Sequence, residues 1–232
     1  MALSPAQRHT AMIEAQRKLD NQQALAGSTS MHLQKMAIDN DAQRLHGLTR
    51  AEKTRLKSQE LLPRWIPTVE QYLADGEVYS NPVFAYCIVW LFDIGDFDRA
   101  LAWADIAIEQ KQLTPFGLRR GFAPFVADTI LAWAEQSVLE GQGVEPYFSQ
   151  VFEKVRDHWQ LYEQISAKWF KFAGLRLISN DQGDPLPSAI KDVAILQEAD
   201  ALLASAHRFH FGCGVKTYRQ KIAARLRALD KE

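Results

Sequence analysis

Phe84-Ala85-Tyr86-Cys87-Ile88-Val89-Trp90-Leu91-Phe92 is apolar on nearly every face, and Asp93-Ile94-Gly95-Asp96 interrupts it. A run apolar all round suits a helix buried on most sides. After the break, Phe97, Leu101, Ala104 and Ile108 recur at i, i+4, i+7 and i+11, the single stripe of an amphipathic helix. Gly95 supplies the left-handed residue that closes the first helix, and Asp96 accepts the free amide protons that open the second. Asp98 adds negative charge in the first turn, where the helix dipole favours it. The stretch therefore predicts an antiparallel helical hairpin with other helices packed on it, opened by Asn81-Pro82 and stopped before Thr114-Pro115.

Outward from the hairpin, helical signals continue in both directions. Ser4-Pro5-Ala6-Gln7 opens a helix to about residue 25, with sparse apolar residues that call for a partner helix, and Gly27-Ser28-Thr29-Ser30 breaks it. A second helix is expected over 31–45, then a turn at His46-Gly47-Leu48. Thr49-Arg50-Ala51-Glu52 is a capping-box pattern opening a helix to about residue 61, which Pro63 ends. Leu61-Leu62-Pro63-Arg64-Trp65-Ile66-Pro67 reads as a junction, with a short helix over about 68–74. Beyond the hairpin, a loop carrying Arg119 and Arg120 precedes helices near 125–140, 146–157, 160–178, 188–206 and 215–229. On the first of these, Phe125, Ile130, Trp133 and Leu139 mark the inward face. No segment alternates like a strand. The expected fold is all-α: a helix-turn-helix-like region over 1–62, a multi-helix, tetratricopeptide-like hairpin domain over 63–210, and a basic amphipathic helix over 211–232.

Charge is unevenly spread along the 232 residues, although the net charge is only −1. Residues 1–64 carry ten Lys/Arg against six Asp/Glu, 65–207 carry ten against twenty, and 208–232 carry seven against two. Basic ends around an acidic middle point to a polyanionic partner, or to unrelated solvated faces. In the N-terminal region Arg50, Lys53 and Lys57 fall at i, i+3 and i+7, with Arg55 beside them and Arg44 just before the turn. These five are the candidate DNA contacts, since phosphate binding needs only placed positive charge. On the last helix Val215, Tyr218, Ile222, Leu226 and Leu229 form one narrow stripe. Lys216, Arg219, Lys221, Arg225 and Arg227 form its basic back, a possible second contact with DNA or a partner. The stripe itself is satisfied equally by its own domain or by a partner.

Catalytic signatures are sparse. Asp93, Asp96 and Asp98 crowd one turn as a divalent-ion site would, but capping accounts for two of them. His207, His210 and Cys213 offer zinc-ligand types without a fourth. There is no phosphate-cradling glycine loop with its Lys and no Gly-x-Ser-x-Gly nucleophile elbow. No catalytic residue, metal or cofactor is assigned. Cys87 and Cys213 make no disulfide framework, the start is too polar for a secretory signal, and the nine residues 84–92 are too few to cross a membrane.

Three motifs carry a family resemblance. Ser4-Pro5-Ala6-Gln7-Arg8-His9 resembles the opening of the GpM-like phage terminase small subunits, as does Leu61-Leu62-Pro63-x-Trp65-x-Pro67. Asp93-x-Gly95-Asp96 with Ala100-Leu101 and Ala104 is similar to that family's central hairpin. The resemblance covers most of the chain. It implies a non-catalytic role in viral genome packaging in the bacterial host cytoplasm. The protein would recognise a cos-type packaging site on double-stranded phage DNA and hand that DNA to the large terminase subunit, assembling as a homo-oligomer, commonly a ring. It implies no membrane. Members are sometimes labelled as an endonuclease subunit, and some carry a long basic C-terminal tail that is absent after Leu229 here. Two other readings stay open: a helical-repeat scaffold that binds a partner peptide, and a metal-dependent nuclease built on Asp93, Asp96 and Asp98.

Overall fold

The computed structural model describes residues 9–14, 17, 30–115, 117–180 and 182–231. Residues 9–14 and 17 are helical and exposed; the rest of the expected first helix, including most of its opening motif, lies outside the described residues. The described chain is all-α, as its patterning predicts. Its one strand-like feature is an isolated bridge between Ser179 and Pro185. No described helix is long and apolar enough to cross a membrane. The chain divides into two compact units, Met1–Phe122 and Ala123–Glu232.

In the first unit, α1 (Met31–Arg44) is followed by a turn through Gly47, whose φ of +79° is the left-handed backbone that glycine adopts without a Cβ clash. Then comes α2 (Arg50–Leu56), a π turn (Lys57–Leu61) and α3 (Leu62–Asp75), continuous with one another. This run corrects the sequence reading. Pro63 does not end the helix, and the junction expected at 62/63 falls inside one helical rod. Proline lacks an N–H and its ring clashes with the carbonyl four residues back. A widened π turn lies just ahead of Pro63, closed by the Leu62 N–H donating five residues back to Lys57 O. The extra residue per turn relieves the clash, so the chain stays helical through the proline.

The central hairpin forms as the sequence dictates. In α4 (Pro82–Ile94), Asn81 caps the start by accepting from Phe84 N–H, and Gly95 closes the end at φ +82°. In α5 (Phe97–Glu109), Asp96 accepts from Arg99 N–H. Val83, Phe84, Cys87, Ile88 and Leu91 are fully buried, which explains why α4 needs no polar face. Burial also pushes the Cys87 thiol pKa well up. Beneath the hairpin, buried Gln112 donates to Tyr72 Oη at 2.8 Å and Tyr79 O at 2.7 Å, and accepts from Asn81 N–H at 2.9 Å. This satisfies the buried polar atoms between α3 and the end of α5.

The second unit holds α6 (Phe122–Leu139), α7 (Tyr147–Asp157), α8 (Glu163–Leu177), α9 (Val193–Phe209) and α10 (Lys216–Leu229). Helix α6 begins earlier than expected because Pro124 is tolerated in a first turn. Its core face is Val126, Ala127, Ile130, Leu131 and Ala134, whereas Leu139 is 81% exposed. The Phe148 and Phe152 rings stack on Trp169, whose indole N–H donates to Ala127 O. Helices α8 and α9 lie close along Gly174. Around them Phe170, Ile178, Leu196, Leu203, Val215 and Ile222 form one core. Tyr218, Leu226 and Leu229 pack against it, so the stripe of α10 is satisfied by its own unit.

Candidate nucleic-acid interface

The five N-terminal candidates begin on α2, and its opening is firmly built. Thr49 Oγ1 accepts from Glu52 N–H, and Glu52 Oε2 accepts from Thr49 N–H at 2.8 Å. The hydrogen bonds from Thr49 pull the Glu52 carboxyl pKa below its ordinary value. Glu52 is therefore turned back onto the turn. Past it, Arg50, Ala51, Thr54, Arg55, Ser58 and Gln59 line one shallow, open surface without an acidic side chain. Arg50 and Arg55 are exposed and Lys53 is half-exposed.

The other two candidates, Lys57 and Arg44, are engaged in ion pairs inside the unit. Lys57 is buried at 8% exposure, and its Nζ donates to Asp93 Oδ2. Arg44 grips Glu60 with two bonds, Nη1 to Oε1 at 2.6 Å and Nη2 to Oε2 at 2.9 Å, and also reaches Asp41. Asp41 is 1% exposed and accepts from Arg64 Nη1 and from Trp65 Nε1 at 2.9 Å. Arg64 also donates to Glu60 Oε1 at 2.6 Å. Two arginines and two carboxylates thus neutralise one another and clamp the end of α1 to the π turn and α3. The bond from Arg44 lowers the Glu60 pKa, and the bond to Glu60 raises that of Arg44.

The helical period alone pointed to a face through Arg50, Lys53 and Lys57. The shallow surface seen in the structure groups positions 50, 51, 54, 55 and 58 instead. Arg50 and Arg55 serve both. Thr54, Ser58 and Gln59 were missed, because uncharged side chains carry no signal in a search for basic residues. The one available hint was their spacing from Arg50.

On α10, Lys216, Lys221 and Arg227 are exposed. Arg219 is committed to Asp200 through two bonds, Nε to Oδ1 at 2.8 Å and Nη2 to Oδ2 at 3.0 Å, and its pKa is raised by that hydrogen bonding. Arg225 Nε donates to Ile190 O at 2.9 Å, fastening α10 to the segment before α9. The stripe's basic back is therefore divided between structural and solvent-facing cations.

The acidic turn has structural duties too. Asp93 holds Lys57 and Asp96 caps α5. Among the described residues, no group of three or more His, Cys, Asp or Glu side chains could hold a metal ion. Neither cysteine is in a disulfide.

Comparison with known proteins agrees with this picture of a helical body bearing a basic helix. Residues 35–164 match the family model described as phage small terminase subunit. The chain is 43% identical over 197 residues to a protein of Haemophilus phage HP1 named "Probable terminase, endonuclease subunit", covering 84% of this chain and 70% of that one. It is 26% identical over 201 residues to "Terminase, endonuclease subunit" of Escherichia phage P2, covering 86% and 78%. No solved structure matches. The matched residues run from α1 into α8, and the chain belongs to the phage small terminase subunit family, whose work is phage DNA packaging.

Proposed function

We propose that this protein is the DNA-recognition component of a packaging terminase, and that the exposed face of α2 is its grip on duplex DNA. Arg50 and Arg55 on that face meet phosphates, half-exposed Lys53 adds charge on its flank, and the helix-turn-helix-like order of α1 and α2 presents them. The bound packaging site is then passed to the large terminase subunit. Several copies act together in a homo-oligomeric ring, so that weak contacts multiply through effective concentration. The observation that carries this reading is the patch of Arg50, Thr54, Arg55 and Ser58, which has no acidic side chain in its lining, with the neighbouring Glu52 tied into the capping box and the patch braced by the Arg44–Glu60–Arg64–Asp41 clamp.

The test is the salt dependence of binding to a packaging-site duplex, read by fluorescence anisotropy. Each phosphate contact contributes a slope of about 0.9 in log K against log salt. Arg50→Ala and Arg55→Ala should each lower the slope by about that amount. Unchanged slopes in both would place the grip elsewhere. Native mass measurement with and without the duplex reads the assembly.

The names of the two relatives favour a second reading, in which the chain contributes to DNA cleavage. Plasmid nicking that needs Mg²⁺ and follows the protein through successive purification steps would establish it. Intact plasmid would retire it.

A further inference from the structure

The segment 210–215 between α9 and α10 holds an aromatic ring out in water by construction. Phe211 is 83% exposed. Its neighbours are anchored on both sides. The Phe209 ring lies against that of Phe170 at 5.3 Å while remaining partly exposed, Val215 is buried, and Lys171 Nζ donates to Cys213 O at 2.8 Å. Gly214 supplies the φ of +75° that turns the chain into α10. Phe211 is thus displayed by a fastened turn.

The ring stands beside His207, with centroids 4.7 Å apart, at the mouth of a groove of about 520 Å³. Volumes of that order hold a small ligand. Lys216, Arg219 and Gln220 line the same groove. Asp200 is the one acidic group lining it, and Arg219 neutralises it through two bonds. Lys216 is left as the net charge, within a segment, 208–232, whose seven Lys/Arg, the paired Arg219 among them, stand against two Asp/Glu.

We infer that this groove binds single-stranded nucleic acid. A base stacks on Phe211 beside His207, Lys216 meets the adjoining phosphate, and the Gln220 amide hydrogen-bonds the base edge. Aromatic rings interleaved with cations are the general means of holding unpaired strands, because every base offers a π face. A duplex cannot use Phe211 in this way, since its base faces are already covered by neighbouring pairs. The charge balance favours a polyanion over an acidic-to-neutral peptide. The site is on the second unit and is independent of the proposed α2 grip.

The experiment uses the full chain and a fluorescein-labelled oligothymidylate, with a hairpin duplex of equal length as control. Phe211→Ala should weaken oligothymidylate binding about 5- to 150-fold, the span typical of one lost base stack, and leave duplex binding unchanged. Phe211→Trp should keep the affinity and show tryptophan quenching on binding that the parent protein lacks. Lys216→Ala should reduce the single-strand salt slope by about 0.7. The proposal is overturned if Phe211→Ala binds oligothymidylate as the parent does, if the parent ignores it at low salt, or if Phe211→Ala weakens duplex and single strand equally. Phe211 is exposed, so neither variant threatens the fold.

Discussion

Lys57 on the π turn and Asp93 at the end of α4 are 36 residues apart in sequence and form one ion pair. Each had a functional reading by itself, Lys57 as a DNA contact and Asp93 as a metal ligand. Together they fasten the basic helix to the central hairpin. The pair is asymmetric: the Lys57 side chain is 10% exposed and that of Asp93 is 44% exposed. Losing Asp93 strands a nearly buried ammonium, whereas losing Lys57 leaves a carboxylate that water reaches.

Asp93→Asn should therefore destabilise the protein by about 1–3 kcal/mol, between the values for exposed and buried pairs. Adding Lys57→Met should recover much of that, because its unbranched apolar chain fills the space of the lysine stem. Denaturant unfolding of the single and double variants checks the ordering. The Lys57→Met variant should also keep the parent's salt slope for duplex DNA, unlike Arg50→Ala. A lowered slope in Lys57→Met would return Lys57 to the interface.

Glu60 gives the clamp a pH dependence. Its carboxyl pKa lies below the ordinary 4.5 because Arg44, and then Arg64, donate to it. A carboxyl with a lowered folded pKa stabilises the fold fully above its unfolded value and loses that contribution as pH falls through the folded value. Stability should drop on acidification from about pH 5 downward. Glu60→Gln should be less stable at pH 7 and show a shallower acid dependence, measured as Tm between pH 7 and 3. Parallel curves for the two proteins would mean that Glu60 does not titrate against folding.

The capping box should matter more to binding than to stability. Thr49→Ala removes the acceptor for Glu52 N–H and the hydroxyl that holds Glu52 Oε2 at 2.7 Å. Losing such a cap costs about 1 kcal/mol. The first turn of α2 frays, and Arg50 lies within it. The expected result is a small fall in Tm with a clear loss of duplex affinity, while Thr49→Ser retains both.

Much of the architecture could be read from local pattern. Asn81, Gly95 and Asp96 mark the hairpin, Thr49 and Glu52 mark the start of α2, and Val215 through Leu229 mark the stripe of α10, each by rules acting within a few residues. The misreadings came from groups that act at a distance. Pro63 normally stops a helix, and nothing local foretells that a π turn will carry the chain past it. Lys57 and Arg44 look like surface cations until Asp93, Glu60 and Asp41 arrive through the fold. The proposed binding face was half visible: Arg50 and Arg55 announce themselves by charge, whereas Thr54, Ser58 and Gln59 join them only once the orientation of the helix is known.

The contact between α8 and α9 rests on an absent side chain. A Cβ at Gly174 would lie 3.0 Å from both Cγ and Cδ2 of Leu203 and 3.1 Å from Ala199 O. The leucine has some freedom to turn away, but the Ala199 carbonyl belongs to the helix backbone and yields only if α9 moves. Gly174→Ala sets about 1 kcal/mol of gained helix propensity against this crowding, so its net effect should be small. Gly174→Val adds two methyls where no space exists and gives up part of the propensity gain. It should destabilise the protein by about 1–3 kcal/mol. Leu203→Ala alone should also destabilise, by opening a cavity in the core that Leu196, Val215 and Ile222 share. In the double variant the valine enters the vacated space, so the two losses should sum to more than the measured cost, with a coupling of at least 0.5 kcal/mol. Denaturant unfolding of the four proteins in this cycle decides the matter: strict additivity would mean that Gly174 and Leu203 do not meet.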